Sequence, residues 1–125
     1  MNQILYSTVP EFDKEFKKLC KKYRTLPEDL ANLKKSSINL FHMSDFDNGG
    51  MFAIPGFCNK YLQSYKVKKF ASRSFKTSGA YSGFRLIYIF LPKTGKVIFI
   101  EIYHKNEKEN EDKVRLKTYF KELAE

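Results

Sequence analysis

Lys66, Lys68, Arg85, Tyr103 and His104 are side chains that could act on a phosphodiester. Metal-free RNA cleavage needs a group to deprotonate the 2′-hydroxyl, a donor for the departing 5′-oxygen, and cations for the charge that grows on phosphate. Lys66, Lys68 and Arg85 supply cations. His104 titrates near neutrality and can serve as acid or base. Tyr103 can orient or donate a proton, but its ordinary pKa of about 10 makes it a poor base unless nearby cations lower it.

The surrounding charge favours a polyanionic partner. Residues 60–105 hold ten Lys and Arg against one acid, Glu101, while the rest of the chain holds thirteen of each sign, so this stretch accounts for the whole formal charge of +9. Clustered cations attract phosphate backbones and do little for a core. Lys60, Lys69, Arg73 and Lys76 extend the cluster and are the expected RNA-binding residues. Each assignment has a plainer alternative. Lys66, Lys68 and Lys69 can simply discourage edge pairing, Arg85 can pair with Glu101 across strands, Tyr103 can be a packing aromatic, and His104 can lie on the helix side of the sheet.

Positioning these groups falls to a sheet with helices on one face. In 125 residues, 42% hydrophobic and 16% aromatic, one domain spanning 1–125 can bury a single core. Residues 4–9 read as a short strand. Thr8 to Glu11 spells a capping box, and Phe12, Phe16, Leu19 and Tyr23 then recur at helical spacing with lysines between them. Thr25, Pro27 and Glu28 start a second helix, whose stripe is Leu30, Leu33, Ser37, Leu40 and Phe41, running to about Met43. Residues 44–60 read as a loop. Strand patterns follow at 62–70, 84–91 and 97–105, the last two joined by a turn at 92–96, and a short helix carries Val114, Leu116, Phe120 and Leu123 after the charged stretch 106–112. The expected fold is α+β: a helical hairpin on a twisted, mainly antiparallel sheet, closed by a C-terminal helix.

Strand alternation sorts the charges. Lys66 and Lys68 share one face. Ile98, Ile100 and Ile102 form a core side, which leaves Glu101, Tyr103 and Lys105 opposite. The helix-free face therefore displays Lys66, Lys68, Arg85, Tyr103 and Lys105.

Other chemistries lack their signatures. Cys20 and Cys58 have no metal or redox spacing, and His42, Asp45 and Asp47 sit among turn residues, so no metal is expected. Gly49-Gly50 lacks the Lys-Ser or Lys-Thr of a phosphate-binding loop, and no cofactor fingerprint occurs. No secretory leader or membrane span is read, and the expectation is a cytoplasmic protein.

The order helix, helix, three antiparallel strands, with Tyr65-Lys66-Val67-Lys68, then Ser82-Gly83-Phe84-Arg85-Leu86-Ile87-Tyr88, then Tyr103-His104-Lys105, resembles the RelE/ParE superfamily of toxin-antitoxin toxins. The resemblance implies a toxin neutralised by a cognate antitoxin in a hetero-oligomer. Its RelE-like branch, which is favoured, cleaves mRNA on the ribosome. A ParE-like gyrase inhibitor and a noncatalytic binder of antitoxin and nucleic acid are the alternatives. Carried onto the matching positions, the RelE-like chemistry falls on Lys66, Lys68, Arg85 and Lys105. The tyrosine of that pattern, a few residues past the last strand, is missing: 106–111 reads Asn-Glu-Lys-Glu-Asn-Glu.

Overall fold

Apart from Arg85 at its entry, Phe84–Leu91 is apolar on both alternating sides, so as a strand it requires cover above and below. In the computed structural model, which describes residues 3–75, 79 and 81–125, it is the middle strand of a five-stranded sheet. In chain order the elements are β1 (Leu5–Thr8), α1 (Pro10–Lys22), α2 (Leu26–Leu33), a π turn (Lys34–Ile38), α3 (Asn39–Ser44), β2 (Met51–Cys58), β3 (Gln63–Val67), β4 (Phe84–Leu91), β5 (Lys96–His104) and α4 (Lys113–Leu123). The sheet order is β1-β5-β4-β3-β2, parallel only between β1 and β5. The class is α+β with a mainly antiparallel sheet.

The first helix packs Phe12 and Leu19 into the core. Its start differs from the expected capping box. Thr8 is still paired with Phe99 in the sheet, so Val9 occupies the cap position and no side chain bonds there. In the second helical path the π turn inserts a residue's worth of rotation between α2 and α3. Ile38 thereby becomes fully buried, and Leu40, expected on the core stripe, is 38% exposed.

Residues 44–60 are not all loop, because β2 lies within them. Pro55 and Gly56 conceal it in the sequence, yet both are tolerable since β2 is an edge strand with an irregular register between Ala53 and Cys58.

One face of the sheet carries Phe84, Leu86, Tyr88 and Phe90 beneath the helices. Phe12 of α1 lies 5.3 Å from Phe99, and Tyr23 at its end meets Phe84 edge-on at 5.1 Å. The expected continuous side of Ile98, Ile100 and Ile102 does not form. Ile98 pairs with Ile89 but Ile102 pairs with Leu86, three residues away, because a bulge opposite Ile87 and Tyr88 leaves Ile100 without a partner. Ile98 and Ile102 therefore point to opposite faces.

Beyond Phe99, β5 runs past the end of β1 and would expose unpaired backbone groups. Glu15 of α1 accepts the Ile102 N–H at 3.3 Å, and Arg115 of α4 donates to the Ile100 carbonyl at 3.0 Å. The two side chains also pair with each other at 2.9 Å, tying both helices to this edge. Among the described residues no helix is long and apolar enough to cross a membrane.

Candidate nucleic-acid interface

Antiparallel pairing gathers the start of β2, the end of β3, the start of β4 and the end of β5 at one end of the sheet. There a cavity of about 270 Å³ is lined by Lys68, Lys69, Arg85 and Lys105, with no carboxylate among the described residues of its wall. Phe52 and Tyr81 add aromatic rings, 45% and 65% exposed. Four cations without an acid among them repel one another, and an anion relieves that repulsion.

Each cation is set by its element. Arg85 is the second residue of β4, and its guanidinium makes only long contacts of 3.4 Å to the Lys68 and Phe84 carbonyl oxygens. It has no carboxylate partner among the described residues. The Lys68 ammonium lies 4.8 Å above the Phe52 ring, and Lys69 donates to the Asn48 carbonyl at 3.2 Å. Lys105 follows β5 and is exposed, its N–H held by the Gly83 carbonyl at 2.9 Å. The Gly50 backbone lies against Lys69 so closely that a Cβ there would come within 2.2 Å of the lysine Cβ, so this wall needs glycine.

Lys66 lies on the face expected for it, together with Phe52, Arg85, Glu101 and Tyr103. It is not free for a substrate in this structure. Its ammonium bonds the Glu111 carboxylate at 2.9 Å, and the segment 106–112, expected to be solvated, folds back over it. Burial pulls the Lys66 pKa down, but Glu111 and the neighbouring Tyr103 hydroxyl outweigh it and hold the group above its ordinary value. Glu111 is pushed up by burial and lowered more by the lysine, so it stays ionised.

Tyr103 lies under the same segment. It is only 5% exposed, and its hydroxyl is buried without a hydrogen-bond partner among the described residues. Burial raises its pKa, and the nearby lysine offsets only part of that, so the cations do not turn it into a base. Glu101 does not pair with Arg85. Its buried carboxylate takes the Lys108 ammonium and the Asp112 N–H instead, which fastens the covering segment at a second point.

His104 is buried on the helix face, opposite Phe84. Nδ1 accepts the Asn106 N–H at 3.2 Å, which leaves Nε2 to donate to the Ser82 carbonyl at 2.9 Å. With both nitrogens engaged and aromatic rings of Tyr23 and Phe75 stacked on it, the imidazole is a structural group here. Lys60 stands at the opposite end of β3, over the Tyr61 ring at 5.7 Å. Arg73 pairs with Glu28 at 2.9 Å in a loop anchored by the buried Asp29, which accepts from Ser72 and from the Arg73 N–H. Lys76 lies outside the described residues.

The structure thus brings Lys68, Lys69, Arg85 and Lys105 to one cavity whose lining does not include Lys66, Tyr103 or His104, although Tyr103 pairs with Arg85 across β4 and β5. Phe52 and Tyr81 also line the cavity and were not singled out by their pattern, while Gly50, set aside as a phosphate-binding loop, lies on its wall. Tyr81 has a local signal, four residues before Arg85 and beside the Ser82-Gly83 turn. Comparison with known proteins finds no family model and no curated protein that matches this chain.

Proposed function

We propose that this chain is the toxin of a toxin-antitoxin pair and acts in the cytoplasm as an endoribonuclease on ribosome-bound mRNA. The observation that carries the reading is the carboxylate-free cavity where Lys68, Arg85 and Lys105 converge. A guanidinium with no carboxylate partner can grip a phosphate through two parallel bonds, and ammonium groups beside it neutralise the charge that develops during in-line attack by the 2′-oxygen. The basic cavity also suits an acidic antitoxin segment that folds on binding and blocks the RNA site.

A second reading, nucleic-acid binding without chemistry, is favoured by the burial of Tyr103 and the full engagement of His104. Gyrase inhibition remains the alternative of the other family branch. Induced expression in a bacterial host separates the three. Transcripts cut at ribosome-bound codons support the endoribonuclease, DNA-damage signalling with intact RNA supports gyrase inhibition, and unimpeded growth favours the binder.

A further inference from the structure

The groups to which the sequence points for proton transfer, Tyr103 and His104, are not open to a substrate in this structure. Tyr103 is sealed under the segment 106–112, His104 bonds through both ring nitrogens, and the Tyr119 hydroxyl donates to Glu11 at 2.5 Å. The cavity wall nevertheless holds one hydroxyl-bearing side chain among the described residues, that of Tyr81. It is 65% exposed, beside Arg85 and Lys105. Its position is set from the C-terminal side. The buried Ser82 hydroxyl donates to the Phe70 carbonyl at 2.6 Å, and the Gly83 carbonyl holds the Lys105 N–H at 2.9 Å, fixing the backbone that follows Tyr81 at the cavity wall.

We propose that Tyr81 is the general acid of the cleavage reaction, an inference that rests on the endoribonuclease reading above. In the step, the 2′-oxygen to phosphorus bond forms and the phosphorus to 5′-oxygen bond breaks. Tyr81 gives its phenolic proton to the departing 5′-oxygen, and the proton of the 2′-hydroxyl passes to water. Solvent then reprotonates Tyr81. The products are a 2′,3′-cyclic phosphate and a 5′-hydroxyl, so no outside reactant is consumed. Arg85 and the lysines hold the phosphate and its growing charge, while the neutral phenol supplies a proton that the always-charged guanidinium cannot release.

Single-turnover cleavage of mRNA on programmed ribosomes tests this with Tyr81→Phe, which keeps the ring and removes the hydroxyl. We expect unchanged ribosome affinity and a loss of about 100-fold or more in rate, within the range of a lost general acid. The same variant is then given mRNA in which the scissile 5′-oxygen is replaced by sulfur. A thiolate leaves without protonation, so Tyr81→Phe should cut this substrate at the wild-type rate, a recovery that a merely structural or stacking role would not produce. Wild-type cleavage of ordinary RNA by Tyr81→Phe, or an equal loss on both substrates, overturns the assignment. If Arg85→Ala loses activity in the same assay, the endoribonuclease reading survives that failure. A wild-type protein that binds ribosomes but never cuts removes both.

Discussion

The Lys66 ammonium and the Glu111 carboxylate lie 2.9 Å apart, their side chains 14% and 9% exposed, so a lysine expected to face RNA is joined to the protein's own C-terminal segment. Removing either partner leaves a largely buried charge unmatched, which costs more than the pair contributes when whole. Lys66→Met and Glu111→Gln should each lower unfolding free energy by about 1–3 kcal/mol, with a coupling of about 0.5–3 kcal/mol in the double variant. Denaturant titration of the four proteins measures it. A coupling of zero would mean the ion pair contributes nothing.

Lys68 should behave differently, because it lines the open cavity. Replacing Lys68 or Lys105 with Ala should move stability by only a few tenths of a kcal/mol while weakening RNA binding. Removing one phosphate-binding cation should flatten the slope of log affinity against log salt by about 0.7 for a single strand. Binding isotherms across a salt series give the slope, and a wild-type affinity that ignores salt would remove the phosphate-binding assignment.

Arg85 is the one cation of the cavity with a planar fork. Arg85→Ala should reduce cleavage by roughly 100-fold, the usual scale for one preorganised donor to developing charge. Arg85→Lys should restore only part of it, since an ammonium cannot reproduce two parallel bonds to a phosphate. Full restoration by lysine would reduce the role of Arg85 to that of a point charge.

Gly83 joins the cavity to the buried imidazole behind it. Its φ is +96°, and a Cβ there would lie 2.7 Å from His104 Nε2. Gly83→Ala combines an unfavourable backbone region with a clash in a packed aromatic cluster, and should destabilise the fold by about 2–4 kcal/mol. Thermal unfolding would show it. A neutral result would mean that His104 can move aside, against its two hydrogen bonds.

His42 sets a pH dependence. Its Nε2 lies 2.7 Å from the Tyr88 hydroxyl, its ring stacks on Phe90 at 3.8 Å, and burial lowers its pKa to about 4. The unfolded chain takes up this proton near pH 6.5 and the folded protein only near pH 4. Between those values the unfolded state binds more protons, so stability falls as pH drops from about 6.5 to 4 and is independent of this group above that window. The slope should shrink in His42→Gln. Equal slopes in variant and wild type would show that the ring is protonated in the fold as readily as outside it.

The class of fold and most element positions are legible in the chain because they rest on local periodicity. The stripe Phe12, Phe16, Leu19 and Tyr23 marks α1, and the apolar run of β4 coincides with Phe84–Leu91 as expected. What local pattern could not show are departures of a single residue. The bulge at Ile100 sends Ile98 and Ile102 to opposite faces, and the π turn trades Leu40 for Ile38 in the core. Each inserts one residue into a regular repeat, and its favourable energy comes from packing against distant elements.

The candidate site divides the same way. Sequence alone determined that positive charge concentrates between residues 60 and 105, and alternation put Lys66, Arg85 and Tyr103 on one face. Only the tertiary structure decided which of them remain available to an anion. Glu111 and Lys108, 45 and 7 residues from their partners Lys66 and Glu101, fold the C-terminal segment over part of that face. Gly50, Phe52 and Tyr81 arrive from two other segments to wall the remaining cations. Charge composition is a property of the chain, whereas accessibility and pairing are set by through-space proximity, which only the completed packing of separate segments establishes.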